Sequence, residues 1–311
     1  EAVADGHSLD AADGDPADMI FVDATGKVGI GTLAPASKLE IKGSSDATQL
    51  IVKANSTQSN TKPLIKLQAS DGTDFMWLHS DDPYNTFVGN SAGKSNTVTG
   101  IGNQGKQNTF IGYRSGYSNT TSTGNSAIGA FALYNTTTGS YNTGVGENAL
   151  PGNTTGSRNT GIGGHSLKSN TTGSYNTALG YYALQANTTS SNSTAIGSEA
   201  LRNSTGVNST AIGAKALYSN TTAHSNTALG YNALYQNTTG SNNVSVGTYA
   251  NRYNEEGTSN TIIGTMAGSG SSAHNKSGNV FIGYMAGFNE TGSNKLYIDN
   301  SNIATPLIYG E

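Results

Sequence analysis

Apolar and polar positions recur along this chain with one dominant period. An aliphatic residue followed by glycine returns at Gly112, Gly129, Gly146, Gly163, Gly180, Gly197, Gly213, Gly230, Gly247 and Gly264, at intervals of 17 residues with a single interval of 16. Gly89 and Gly283 carry the same local pattern at irregular spacing, so about a dozen units cover residues 85–295. A fixed period of this length marks a repeat architecture, in which each unit buries its apolar face against its neighbours.

Within a unit, the four residues before the glycine, such as NTAL at 176–179 or NTGI at 159–162, read as a short extended segment. Its alternate side chains point to opposite faces. The NTTGS stretch that follows Ala-Leu is turn chemistry, and no helix of useful length fits between strand and turn. One short strand and one obligatory turn per unit predict an all-β fold, a parallel β-roll or solenoid whose coils hydrogen-bond to one another about 4.8 Å apart.

Side-chain sizes locate the interior. Two residues before the glycine the central units carry a small residue (Ala127, Gly144, Gly161, Ala178, Ala195, Ala211, Ala228), and four residues after it a leucine (Leu133, Leu150, Leu167, Leu184, Leu201, Leu217, Leu234). Toward the ends the sizes swap: Phe87 goes with Gly93, Phe110 with Gly116, Ile262 with Gly268 and Phe281 with Gly287. Close-packed interiors demand such compensation between neighbours, so the two positions are expected to share one core layer. The unit of Ser245 and Asn251 breaks the rule and marks a polar seam.

Immediately before the glycine runs a second apolar ladder that includes Ile128, Ile162, Ile196, Ile212 and Ile263. Adjacent strand residues face opposite ways, so the strand is apolar on both sides. Either a thicker coil wraps both ladders, or the outer one meets a partner, and a homo-oligomer with rotational symmetry supplies that partner along the whole rod. With three or four apolar residues per unit, the second arrangement is the expected one, and these five isoleucines are the predicted subunit contact.

Polar positions repeat as faithfully. An asparagine ladder four residues before each glycine (Asn108, Asn125, Asn142, Asn159, Asn176, Asn226, Asn243, Asn260, Asn279) is expected to stack amide on amide. The threonine ladder beside it shares a face with the outer isoleucines. Fourteen N-x-S/T triplets formally read as glycosylation acceptors, half of them in the recurring Asn-Thr-Thr turn of the NTTG type. Tyrosine is frequent at 16, with Tyr113, Tyr181, Tyr231 and Tyr284 directly after the glycine and Tyr117, Tyr134, Tyr218 and Tyr235 five residues after it. Amphipathic rings of this kind suit sugar faces and protein epitopes, and equally suit packing between coils or subunits. The first four, with Trp77, are the candidate ligand contacts.

Composition narrows the functional classes. The 311 residues include 41 Gly, no Cys and only 12% charged residues, unlike either an ordinary globular domain or a charged disordered chain. Sixteen Lys and Arg spread thinly over a chain of net charge −4 leave no basic stripe, so nucleic acid is not an expected partner. No apolar run of membrane-spanning length occurs, so direct membrane insertion is not expected. The start at Glu1 without methionine suggests a processed or excised piece. No cofactor and no metal site are expected: the five histidines have no ligand spacing, and Asp13, Asp15 and Asp18 lack the later glutamate of an EF-hand loop.

The units NSTAIGSEAL and NTALGYYAL resemble the YadA-like head repeats of trimeric autotransporter adhesins. The resemblance implies a left-handed parallel β-roll assembled as an intertwined homotrimer. The segment FVDATGKVGIGTLAPASKLEIKG at 21–43 and the ending NKLYIDNSNIATPLIYGE at 294–311 resemble bacterial and phage-type fibre proteins, many of which carry a C-terminal endosialidase-type intramolecular chaperone. On this reading the chain comprises an acidic lead-in over 1–18, a β-hairpin fibre segment over 19–43, a small β-lobe over 44–84, the repeat body over 85–295 and a C-terminal strand over 296–311. The lobe is expected to hold strands at 49–54, 63–69 and 74–79.

The expected function is that of a nonenzymatic surface fibre, an adhesin on a bacterial envelope whose rod meets cell-surface glycans or protein receptors. A phage tail fibre with the same fold is the first alternative, and a polysaccharide-cutting spike with an active site between subunits is the second. Against cutting, the only acidic residues between Tyr84 and Arg252 are Glu147 and Glu199, three coils apart. That is roughly 14 Å by coil spacing, whereas glycosidase carboxyls sit about 5–10 Å apart.

Overall fold

The structure, a computed structural model, describes residues 7–9, 20–42, 50, 52, 63–301 and 307–310. The chain forms two compact units, Glu1–Thr57 and Gln58–Glu311. No helix occurs among the described residues.

The first unit holds a four-stranded sheet of β1 (His7–Leu9), β2 (Ile20–Val22), β3 (Val28–Ile30) and β4 (Leu39–Ile41). β2 and β3 form the expected antiparallel hairpin, with Ile20 opposite Ile30. Its turn is closed by Asp23, whose Oδ1 accepts the backbone N–H of Thr25 at 2.8 Å and of Lys27 at 2.9 Å. These bonds favour the ionised form and hold the Asp23 carboxyl below its usual pKa. The expected lead-in over 1–18 lies outside the described residues except for β1.

The second unit is a parallel β-solenoid. Its sheet runs from β5 (Ile65–Gln68) and β6 (Asp74–His79) through β7 (Thr86–Val88), β8 (Thr109–Ile111), β9 (Ser126–Ile128) and their successors to β18 (Val280–Ile282), then β19 (Leu296–Ile298) and β20 (Ile308–Gly310). From β7 to β19 neighbours are parallel and in strict register, as in Thr143–Thr160, Gly144–Gly161 and Val145–Ile162. The eleven steps from β7 to β18 span roughly 53 Å at 4.8 Å each. Two of the three strands expected at 49–79 are present, as the antiparallel pair β5–β6. They are the first strands of the solenoid's own sheet. Of the third, 49–54, only Leu50 and Val52 are described.

The repeating glycine is required by the coil spacing. At Gly129, with φ of 129°, an added Cβ would meet the carbonyl carbon of Gly146 at 2.7 Å. Any side chain there strikes the backbone of the next coil, so the position stays bare along the ladder.

The two size-matched positions do share a layer. In the central coils the small position packs against the leucine of the preceding coil, since the Cβ that Gly144 lacks would lie 3.2 Å from Leu133 Cγ. Near the end the contact is within one coil, since the Cβ that Gly116 lacks would lie 2.6 Å from the Phe110 ring. All seven central leucines at this position are fully buried, with φ between 49° and 53°. A left-handed leucine costs about 1–2 kcal/mol, which burial of its side chain, worth about 1.5–3 kcal/mol, offsets. The sharp bends this conformation gives turn the chain back into the coil.

Aromatic residues gather at both ends. Phe87 and Phe110 stack at 5.2 Å, and His79 and Trp77 extend the column into the β5–β6 hairpin. At the other end Phe281, Tyr297 and Tyr309 continue it through β19 and β20. Hairpins over each end pair the terminal strands, which otherwise present unpaired backbone edges.

The polar seam expected at Ser245 and Asn251 is present and divides the core. One apolar cluster runs from Phe87 to Leu234 and a second from Ala250 to Tyr297. In the seam, Ser245 Oγ and Asn251 Nδ2 are buried without hydrogen-bond partners.

Candidate binding surface

The asparagine ladder four residues before each glycine lies inside the coil. Its Oδ1 atoms accept backbone N–H groups of the following coil, as from Asn142 to Asn125 at 2.8 Å and from Asn159 to Asn142 at 3.0 Å. Its Nδ2 atoms donate to carbonyls of that coil, as from Asn142 to Gly156 at 2.9 Å. The expected amide-to-amide contact occurs only locally, from Asn159 to Asn142 at 3.2 Å and from Asn260 to Asn243 at 2.9 Å.

A second buried ladder, where turn chemistry alone is expected from the sequence, is formed by the asparagines of the NTTG-type segments. Asn170 Nδ2 donates to Asn153 Oδ1 at 2.8 Å, and Asn187 Nδ2 to Asn170 Oδ1 at 2.7 Å. Asn119, Asn153, Asn170, Asn187, Asn220 and Asn237 are fully buried, so a glycan on any of them is incompatible with the folded coil. Their strict recurrence seven residues after the glycine was the available signal. Asn135, one step out of that register, is exposed.

The outer face of the strands carries the second apolar ladder. Ile128, Ile162, Ile212 and Ile263 are exposed by 37–43%, and Ile196 is half-buried. Their threonine neighbours, among them Thr143, Thr160 and Thr177, lie on the same outward side. The result is a continuous, half-exposed stripe along the solenoid.

Tyr113, Tyr181, Tyr231 and Tyr284 are exposed beside this stripe. Tyr113 meets Phe131 edge-on at 5.3 Å and Tyr231 meets Tyr249 at 5.4 Å, each contact linking successive coils. The tyrosines five residues after the glycine pack on one another, Tyr117 on Tyr134 at 5.1 Å and Tyr218 on Tyr235 at 5.2 Å. Trp77 is buried and donates its indole N–H to Asp74 at 3.0 Å.

Arginines join these columns. Arg202 lies over Tyr182 at 4.9 Å and pairs with Glu199 at 2.9 Å. Arg252 lies over Tyr249 at 4.8 Å, Tyr253 at 4.9 Å and Tyr235 at 5.8 Å. A separate exposed column, Tyr141–Arg158–Tyr175, forms just before the strands, with Arg158 bonded to the Tyr175 hydroxyl at 2.6 Å. Cation and ring contacts of this kind fix long side chains at the surface. The signal for Tyr141 and Tyr175 in the sequence is their shared offset, five residues before a glycine.

One coil departs from the period. Gly264 and Gly283 are 19 residues apart, yet Thr261 still faces Val280, so the extra residues swell the turn at 269–276 and leave the sheet intact. Two clefts flank this turn. One, about 380 Å³, is lined by residues including His274, Lys276 and Glu290. Burial lowers the pKa of His274 to about 4 and that of Lys276 to about 8. The other, about 330 Å³, is lined by Tyr249, Arg252, Tyr253, Met266, Ser269, Gly270, Ser271 and Phe288.

Glu147 and Glu199 lie in separate coils, Glu147 exposed and Glu199 tied to Arg202. Among the described residues no group of three acidic or histidine side chains gathers where a metal ion would sit. The chain matches no protein-family model, no curated protein and no solved structure.

Proposed function

We propose that the chain is the rod of a nonenzymatic homotrimeric surface fibre, an adhesin of the bacterial envelope that meets glycans or protein receptors on another cell. The half-exposed Ile ladder is the observation that carries this reading. A flat apolar stripe about 50 Å long by strand spacing favours a partner that repeats with the same rise, and an identical chain does so at every coil. The head-repeat resemblance points the same way. The outward tyrosines and arginines remain for recognition, as rigid amphipathic groups suited to sugars. The fibre-type flanking segments favour, as a second setting, a virion tail fibre with the same rod.

Light scattering on the purified chain tests the assembly, with a trimer expected at micromolar concentration. Ile162→Asp with Ile196→Asp places charges in the contact that have no partners, each costing several kcal/mol, and is expected to yield folded monomer. A wild-type monomer overturns the reading. Binding of the trimer to a glycan array and to cells tests adhesion.

A further inference from the structure

The cleft beside Arg252 is a missing rung in a side-chain column. Five residues after successive glycines stand Tyr218, Tyr235, Arg252, Ser269 and Phe288. Where the column is complete, neighbouring rings stack at 5.2 Å, as Tyr218 does on Tyr235. At Ser269 the side chain is small and only 2% exposed, so it adds no ring to the column, and Ser269, Gly270 and Ser271 of the swollen turn line the cleft beside Arg252. Arg252 and Phe288 are thus two coils apart, roughly 10 Å by strand spacing, with one ring's thickness open between them.

The walls of this slot are chemically specific. Arg252 is held against three tyrosine rings, yet among the described residues its side chain has no ion pair and donates no hydrogen bond, and its Nε is buried without a partner. Arg158 and Arg202, by contrast, are hydrogen-bonded. Glu256, near Arg252 in sequence, accepts a bond from Asn275 at 3.3 Å. A positioned guanidinium without a partner is a fork for a planar anion, and carboxylate fits it bidentately. Phe288 and Met266 supply an apolar wall, while Tyr249, Tyr253 and Ser271 supply hydroxyls. A volume of about 330 Å³ lies at the small end of ligand sites.

We propose that this slot is a subsite for one carboxylate-bearing sugar ring of a surface glycan, with its carboxylate on Arg252 and its apolar face against Phe288 and Met266. The assignment rests on the adhesive reading and narrows it to acidic glycans at the irregular coil. An uncharged sugar leaves the guanidinium unpaired, and a lone arginine without a second cation suits one carboxylate better than a polyphosphate.

The experiment is ligand-observed NMR and calorimetry on the full chain with N-acetylneuraminic acid, glucuronic acid, galactose, inorganic phosphate and a single-stranded oligonucleotide. At least one of the two acidic sugars is expected to bind with millimolar affinity and galactose at least tenfold more weakly. Arg252→Gln is expected to abolish the preference, and Ser271→Trp, at an exposed turn position, to block the slot without changing the melting curve. Should Arg252→Gln fail to fold, Ser271→Trp alone decides. Unchanged acidic-sugar binding in the blocked variant, no acidic-sugar binding in the wild type, or binding of phosphate or oligonucleotide alone overturns the proposal. Array or cell binding that survives in the blocked variant removes this site while leaving the adhesive reading in place, whereas a rod that binds neither array nor cells removes both.

Discussion

Exchanging the large and small members of one core pair is the sharpest test of how the coil is filled. Phe110 is fully buried and stacks on Phe87 at 5.2 Å with planes 7° apart. Phe110→Ala therefore costs about 3–5 kcal/mol for the cavity and about 0.5–1.5 kcal/mol for the lost stack. Gly116→Leu alone is also damaging, because its Cβ would lie 2.6 Å from Cδ2, Cε2 and Cζ of Phe110. Overpacking adds about 1–3 kcal/mol, and left-handed leucine about 1–2 kcal/mol. Together the two changes recreate the Ala-and-Leu pairing of the central coils. Gly116 already has φ of 55°, against 51° for Leu133, so the new leucine enters a conformation its counterparts adopt. A residual loss persists, since Gly93 leaves space once packed by the Phe110 ring. The double variant should be less damaged than Phe110→Ala alone, with a favourable coupling of about 2–3 kcal/mol or more. Because coils are able to melt in segments, the cycle is best read from urea midpoints together with hydrogen exchange over residues 109–126. Additive losses would refute a shared layer.

Other outcomes follow from the interior. Ser245→Ala removes a buried hydroxyl without a partner and restores the alanine of the preceding coils; it should stabilise the rod by about 1 kcal/mol, and a lowered urea midpoint would contradict the seam. Asn170→Ala removes bonds to Asn153, Gly173 and Asn187, and denaturation should show a loss of about 2–4 kcal/mol. If it melts like wild type, the second ladder contributes nothing. His274, half-buried beside Lys276, has its pKa lowered from 6.5 to about 4, chiefly by desolvation. The unfolded chain then binds the proton more readily, so the irregular coil loses stability as pH falls from 6.5 toward 4. Lys276, lowered from 10.5 to about 8 by burial, works with the same sign at alkaline pH: its penalty is full below about 8 and fades as pH rises toward 10.5. Hydrogen exchange over 264–297 in wild type and His274→Gln reads the acid limb, which should flatten in the variant.

The sequence by itself determined the coil, because a parallel solenoid places equivalent residues on top of one another and so writes its geometry as a period. The glycine ladder, the strand before it, the size exchange between Phe110 and Gly116 and the seam at Ser245 and Asn251 all lie at fixed offsets and were legible there. The hairpin at Asp23–Lys27 was legible for a local reason, turn chemistry between two apolar strands. What depended on side-chain direction was not. The NTTG asparagines look like ordinary turn residues until the left-handed bends at the leucines swing them into the interior, where amides must find partners. Trp77 and the tyrosines five residues after the glycine were equally ambiguous between display and packing; the fold buries the first and stacks the others. The slot at Arg252 required tertiary structure most of all. It arises from two extra residues after Gly264, a small side chain at Ser269 and wall residues drawn from three successive coils, and no single unit contains them all.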